Sequence, residues 1–248
     1  MVKGLDTFQK YFADYEEQYV LIGGAACDIL FESNEVNFRA TRDLDTVLIV
    51  EALTPEFGEK FWKFIVDGKY RNKATNGSNP QFYRFDKPED DNFPKMIELF
   101  CRSDFKLKDA KGITPIHIDD EVSSLSAILL NDDYYKALLN GKEVRKGLSV
   151  LRPEYIILFK AKAYLDLKRQ KDLGEKVDSS DIKKHKKDVL RIASELMLEK
   201  VEKLPIAVDA DIHSFIDLLE QEPFDQHSLK RYGLKNEDVV EVLKQVFG

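Results

Sequence analysis

Apolar positions recur along this chain with two periods, and the helical period takes over after residue 152. Residues 5–17 carry apolar side chains at helical spacing and lead into the short apolar run 19–22, which stops at two glycines. Residues 44–50 form a β-rich run of the kind found in a covered strand. The pattern predicts a helix, a strand and a tight turn that opens a second helix, followed by a further strand.

The rest of the chain divides into a strand-rich part and a helical part. Further strands are predicted at 81–85, 95–102, 113–118 and 148–151, and helices at 153–169, 179–199, 209–220 and 236–247. The predicted fold class is therefore α+β, with a mixed β-sheet and flanking helices followed by a C-terminal helical bundle. We expect domains at 1–152 and 153–248.

Composition limits the partners and the compartment. The 43% hydrophobic content of the 248 residues supplies a sizeable core, and the net charge of −7 argues against a surface that coats nucleic acid. Cys27 and Cys101 lie in apolar runs, so buried thiols in a reducing cytoplasm are expected. No run has the length of a signal peptide or a membrane span, which predicts a cytoplasmic protein without membrane contact.

The sharpest chemical feature is an acidic pair that enters the second strand. Residues two apart in a strand point the same way, so Asp43 and Asp45 place two carboxylates side by side, about 7 Å apart at the α-carbons. Hard oxygen ligands in this arrangement suit Mg²⁺ or Mn²⁺, which would bridge phosphate oxygens. Two aspartates that cap the start of a surface strand are the alternative reading.

A glycine pair precedes this strand. Gly23 and Gly24 end one strand and open a helix, which is how a chain presents backbone N–H groups to an anion. A tight turn without a ligand would have the same sequence. No P-loop or dinucleotide-binding pattern follows the pair. The functional interpretation therefore depends on the glycine pair occurring together with Asp43-Leu44-Asp45.

That conjunction resembles the nucleotidyltransferase superfamily of polymerase β. The resemblance implies a nucleotidyltransferase-like sheet, a nucleoside triphosphate substrate, metal on Asp43 and Asp45, and a third carboxylate on a later strand. Glu98, in Ile97-Glu98-Leu99, matches that third position. A salt-bridged strand glutamate is the alternative for Glu98.

Within the superfamily the chain looks most like the AbiE-type toxin nucleotidyltransferases. The likeness rests on Gly23-Gly24-Ala25-Ala26, on Arg39-x-Thr41-x-Asp43-Leu44-Asp45, and on a later helix pair with Lys160-Ala161-Lys162-Ala163 and Ser180-Asp181-Ile182. It implies that Arg39 and Thr41 contact the nucleotide, that Lys160 and Asp181 belong to the catalytic set, and that a cognate antitoxin exists as a partner.

Helical geometry distinguishes Lys160 from Lys162. Apolar residues lie three and four positions from Lys160, whereas Lys162 has Asp166 one turn ahead, so Lys160 is expected to face inward and Lys162 to face water. An inward lysine calls for an anionic partner such as a triphosphate. A snorkelling side chain is the alternative.

The following helix brings three titratable residues to one face. Asp181, His185 and Asp188 stand at i, i+4 and i+7, so Asp181 can orient Lys160 or the acceptor, and His185 can bind phosphate or sugar. A packed or surface histidine is the alternative for His185. A basic cluster here is either a solvated face or a site for RNA or another phosphate-rich acceptor; it comprises Lys168, Arg169, Lys171, Lys183, Lys184, Lys186 and Lys187.

These observations predict a metal-dependent nucleotidyltransferase that moves a nucleoside monophosphate from an NTP to an acceptor, either RNA or protein. Two alternatives stay open. One is a relative that binds NTP without turnover. The other is an antibiotic-modifying transferase, in which Asp119, Asp120 and Glu121 would receive a polycationic drug.

Overall fold

The computed structural model describes residues 2–32, 43–72, 82–101, 128–129 and 131–248. Contacts between α-carbons divide the chain into two compact units. The sheet unit comprises Met1–Asp119 with Lys142–Leu151, and the helical unit comprises Asp120–Gly141 with Arg152–Gly248. The sequence predicts one domain boundary, near residue 152. The contacts between α-carbons also assign the segment Asp120–Gly141 to the helical unit.

The sheet unit is built on a mixed sheet. Its strands are β1 (Tyr19–Leu21), β2 (Asp43–Leu48), β3 (Arg71–Asn72), β4 (Phe82–Asp86), β5 (Met96–Cys101), β6 (Lys142–Arg145) and β7 (Leu148–Leu151). Within the described ranges they form one seven-stranded sheet in the order β3-β4-β5-β2-β1-β7-β6. β2 pairs parallel with β5 and antiparallel with β1, while β1 pairs parallel with β7. The α+β class predicted from the sequence is confirmed.

In the described part of the sheet unit, three α-helices accompany these strands: α1 (Leu5–Phe12), α2 (Gly23–Glu32) and α3 (Pro55–Asp67). Thr54 caps α3 because its hydroxyl accepts the Phe57 N–H, and Pro55 occupies the first turn, where no N–H is needed. Aromatic side chains of α1 and α3 pack together, with the rings of Phe12 and Phe64 5.4 Å apart.

The central strands are covered on both faces. β1 is buried at every position, and β5 is buried from Ile97 to Cys101. Such continuous apolar strands are typical of a sheet with helices on both sides. Cys27 on α2 and Cys101 on β5 are buried thiols that form no disulfide, as expected from the sequence.

The helical unit contains α4 (Asp132–Gly141), α5 (Pro153–Asp172), α6 (Ser179–Glu195), α7 (Ile206–Gln221), α8 (Gln226–Tyr232) and α9 (Asn236–Phe247). α5 packs lengthwise against α6, and both α6 and α7 contact α9. Asp178 caps α6 by accepting the Ser180 N–H at 2.8 Å. α6 ends at Glu195 rather than at residue 199, because Leu196 is extended, with φ −112° and ψ 146°.

None of the helices in the described part of the chain is both long and apolar enough to cross a membrane.

Candidate active site

The glycine turn and the acidic strand meet at one point of the sheet unit. The backbone N–H of Ile22, just beyond β1, donates to the Asp45 carbonyl at 3.0 Å. Gly23 follows with φ 61°, a left-handed conformation that favours glycine. A Cβ on Gly23 would lie nearer than 3.0 Å to Asp45 Oδ2 and 3.3 Å from Asp45 Cγ. The carboxylate of Asp45 therefore lies against the first residue of α2.

Asp43 and Asp45 share one face of β2. Both are half-buried, whereas Leu44 between them is fully buried, so the strand alternates as its sequence predicts. The parallel register with β5 sets Asp45 opposite Glu98. A hydrogen bond joins the carboxyl groups of Asp45 and Glu98, and the charge of Asp43 also acts on Glu98. The three predicted acidic residues are thus gathered on one patch of the sheet.

Glu98 has a cationic partner. Arg84 on β4 stands opposite it in the sheet, and Glu98 Oε1 accepts from Arg84 Nε at 2.7 Å and from Nη2 at 2.5 Å. The Glu98 side chain is only 8% exposed. Burial raises the pKa of the Glu98 carboxyl above its ordinary value, and Arg84 opposes that rise. Glu98 is thus a buried strand glutamate with a salt bridge, the alternative that the sequence left open.

Arg84 was not anticipated as a site residue. The signal was an arginine between aromatic residues in Tyr83-Arg84-Phe85, on a strand whose neighbour carries a buried acid. A charged residue in such a strand calls for a partner of opposite sign.

The acidic patch includes two half-buried carboxylates, those of Asp43 and Asp45. Within the described ranges, no group of three or more His, Cys, Asp or Glu side chains is arranged so that it could hold a metal ion. Mg²⁺ usually binds through one or two carboxylates and completes its octahedron with water and substrate phosphates. Asp43 and Asp45 fit that requirement, and the metal role of Glu98 stays a prediction.

In the helical unit, Lys160 lies on the inward face of α5. Its side chain is 13% exposed, and its Nζ pairs with Asp188 Oδ2 on α6 at 3.1 Å. The inward orientation predicted for Lys160 is confirmed, and Asp188 supplies an anionic partner from within the chain. The expectation that Lys162 faces water is wrong, because its Nζ lies 2.9 Å from Asp166 and 3.4 Å from Asp211 with 23% of the side chain exposed.

Two other predicted residues lie on α6. Asp181 is half-buried in the first turn, and His185 is buried with 5% of its surface exposed. Their proposed roles toward phosphate, sugar or acceptor stay predictions, as does the phosphate contact of Lys160.

Several sequence predictions fall outside the described residues. These are the nucleotide contacts of Arg39 and Thr41, the strand at 113–118, and the acidic segment Asp119, Asp120 and Glu121.

Comparison with known proteins adds little to this geometry. No family model matches the sequence, and no curated protein matches it significantly. Among solved structures, an antigenic nucleotidyltransferase-like protein from Paracoccidioides brasiliensis is similar with a TM-score of 0.47 and 14% identity, over 98% of this chain and 93% of that one. A likeness at that level assigns no residue and no activity to this chain.

Proposed function

We propose that this protein is a metal-dependent nucleotidyltransferase that transfers a nucleoside monophosphate from an NTP to an acceptor. The observation that carries the proposal is the junction of Gly23 with Asp45, which joins a helix N-terminus to an acidic strand. Phosphate chemistry needs both parts, since N–H groups bind the anion and carboxylates bind its counter-cation.

The phosphate half of the proposed site is the start of α2. Gly23 opens this helix of 10 residues, and Gly24 is buried at its second position. The first backbone N–H groups of a helix have no partner within it and carry the positive end of the helix dipole. Because Gly23 has no side chain, the Asp45 carboxylate lies next to these groups, and a metal ion on Asp45 would be close to a phosphate bound there.

The cation half is the pair Asp43 and Asp45 on β2. Their carboxylates would hold Mg²⁺ or Mn²⁺, and the metal would supply charge stabilisation to the triphosphate and to the attacking group. Glu98 is a positioning residue in this proposal, because its hydrogen bond to Asp45 and its salt bridge to Arg84 fix the orientation of the Asp45 carboxylate.

The reaction is an exchange of one phosphorus–oxygen bond for another. A nucleophilic oxygen of the acceptor forms a bond to the α-phosphorus, and the bond from the α-phosphorus to the bridging oxygen of the β-phosphate breaks. Pyrophosphate leaves, and the proton of the acceptor hydroxyl passes to solvent. The chain contributes mainly by positioning the triphosphate between the α2 N-terminus and the two aspartates.

The finer assignment follows the sequence motifs. The AbiE-type resemblance of Gly23-Gly24-Ala25-Ala26 and Arg39-x-Thr41-x-Asp43-Leu44-Asp45 supports a toxin-like cytoplasmic enzyme with a cognate antitoxin. RNA or protein is the proposed acceptor class.

A label-transfer assay tests the proposal. Each of the four NTPs, labelled at the α-phosphate, is incubated with the protein, Mg²⁺ and either total RNA or total protein. Transfer of label from at least one NTP, lost in Asp43→Asn/Asp45→Asn and retained in the exposed pair variant Glu56→Gln/Glu59→Gln, is the expected result. Transfer that survives in Asp43→Asn/Asp45→Asn contradicts the assignment.

A second candidate is an NTP-binding module without turnover. The pairing of Glu98 with Arg84 favours it, because a carboxylate held by a guanidinium is less available to a second metal ion. Metal-dependent NTP binding without label transfer to any acceptor would support this candidate over the enzyme.

A further inference from the structure

The helical unit contains a concave pocket that the proposed function does not use. It has a volume of about 540 Å³ and lies between α5, α6 and the segment that follows α7. This volume falls within the range of small-molecule sites. Five lysines contribute to its lining: Lys168, Lys171, Lys183, Lys186 and Lys187. These residues define what we call the lysine pocket.

The lysine pocket is positive in a chain whose net charge is −7. Its lining includes five lysines but only three carboxylates, those of Asp172, Glu222 and Asp225. Glu222 Oε1 is bound to Lys168 Nζ at 2.6 Å. Asp225 Oδ1 caps α8 by accepting the Ser228 N–H at 2.9 Å. Two of the three carboxylates are therefore engaged, and the pocket retains an excess of positive charge.

Lys186 forms a fixed part of the wall. Its Nζ donates to the carbonyl oxygens of Glu222 and Pro223, the latter at 3.2 Å. The same ammonium lies 5.7 Å from the ring centre of Tyr164 and 5.4 Å from that of Phe224. Burial lowers the pKa of Lys186, the charge of Lys168 lowers it further, and the charge of Glu222 opposes both. The lysines thus repel one another, and a bound anion would relieve that repulsion.

Three other lysines are exposed around the pocket. Lys183 and Lys187 are one turn apart on α6, a spacing at which like charges destabilise a helix. Lys171, near the end of α5, donates to Ser179 Oγ at 2.5 Å. None of these three forms a salt bridge with a carboxylate in the described part of the chain. Their ammonium groups retain charge that an incoming anion can neutralise.

We propose that the lysine pocket binds a small polyphosphorylated molecule, recognised through adjacent phosphate groups. The inference goes beyond the proposed function and does not depend on it. A compact anion fits because the cavity is bounded and the chain around it is acidic. A long nucleic-acid strand would instead need a continuous basic surface.

Calorimetry with sodium tripolyphosphate tests this proposal on the full chain at low ionic strength. EDTA is present throughout, so that metal-dependent binding at Asp43 and Asp45 does not contribute. We expect saturable binding that Lys183→Gln/Lys187→Gln weakens by about tenfold or more, since charge-assisted contacts to phosphate are strong. The control Lys200→Gln/Lys203→Gln removes the same charge from exposed residues outside the pocket lining and should change the affinity by less than about twofold.

Further arms identify the source of the phosphates. Tighter binding of ATP than of tripolyphosphate would assign the site to a nucleotide, and equal binding would assign it to the phosphates alone. The proposal is overturned if wild type shows no saturable binding, if both double variants lose affinity equally, or if an oligoribonucleotide binds and tripolyphosphate does not. Retained tripolyphosphate binding by Asp43→Asn/Asp45→Asn separates this site from the proposed active site, and loss of binding there would also overturn it.

Discussion

Gly23 faces Asp45 with no room for a methyl group between them. The nearest atom to a Cβ at Gly23 would be Asp45 Oδ2, nearer than any real Cβ contact. Because Gly23 also has φ 61°, two independent features favour glycine where the carboxylate and the helix N-terminus meet. The conformation of the turn and the position of the acid are therefore coupled.

Substitution of Gly23 by alanine should cost more than strain at a left-handed residue alone. We expect Gly23→Ala to lower the free energy of unfolding by about 3 kcal/mol, because a methyl group adds overpacking to the backbone strain. Gly233→Ala is the matched control, since Gly233 has φ 67° but nothing within 4 Å of the added Cβ. It should lose about 1 kcal/mol in the same denaturant titration. Equal losses would show that Asp45 does not restrict Gly23.

The salt bridge of Glu98 with Arg84 should be costly to break from one side. Arg84→Met leaves the Glu98 carboxylate buried without its guanidinium, and we expect a loss of about 3 kcal/mol in the free energy of unfolding. In Arg84→Met/Glu98→Leu most of this loss should be recovered, because no buried charge is left. A double-mutant cycle with additive losses would contradict the pairing.

The Lys160–Asp188 pair makes a similar prediction for the helical unit. Lys160→Met should destabilise the protein by about 3 kcal/mol, since it removes the ammonium group that pairs with a carboxylate only 8% exposed. Lys244→Met removes an ion pair of the same unit whose side chains are 54% and 51% exposed, and no measurable change is expected there. Thermal or denaturant unfolding compares the two. A Lys160→Met variant as stable as wild type would contradict the prediction that this buried ion pair stabilises the protein.

Stability should depend on pH through Glu154, on α5. This residue is 2% exposed, its Oε1 accepts the Glu199 N–H at 2.6 Å, and burial raises its pKa. A carboxyl whose pKa is higher in the folded state binds its proton more tightly there. Its contribution to stability is therefore present below the unfolded pKa and is lost as pH rises through the folded pKa.

Glu154→Gln removes that titration. As pH is raised from the usual pKa of glutamate toward neutrality, wild type should lose stability relative to Glu154→Gln, as measured by the free energy of unfolding. Denaturant titrations at several pH values measure it. A difference that does not change with pH, or that moves in favour of wild type, contradicts the direction of the pKa shift.

The strands were predictable where one local pattern decides the structure. β7 and α9 have the predicted bounds, and β2 and β5 differ from prediction only at their ends. The three strands are largely apolar runs bounded by turn or polar residues, and α9 has the apolar spacing of an amphipathic helix. The helix α8 was not predicted, although Asp225 caps it and Gly233 ends it with a left-handed φ. It is too short for helical periodicity to be evident.

The partners of charged residues could not be predicted as readily. The pairing of Asp45 with Glu98 and of Glu98 with Arg84 depends on the register of strands that are distant in sequence. The pairing of Asp188 with Lys160 depends on how far α6 is rotated against α5. The sequence indicated the face of Lys160 correctly but not that of Lys162, and it does not show which residue lies opposite across an interface.

Metal-dependent nucleotide binding tests the central claim most directly. Each NTP is titrated into wild type, Asp43→Asn/Asp45→Asn and the control Glu56→Gln/Glu59→Gln by calorimetry, with Mg²⁺ and then with EDTA. We expect wild type and the control to bind at least one NTP with a Mg²⁺-dependent component that EDTA abolishes, in addition to the metal-independent binding proposed for the lysine pocket. In Asp43→Asn/Asp45→Asn this Mg²⁺-dependent component should be about a hundredfold weaker or absent. A Mg²⁺-dependent component of equal affinity in wild type and Asp43→Asn/Asp45→Asn, or the lack of such a component in wild type, would contradict a metal and phosphate site at Gly23 and Asp45.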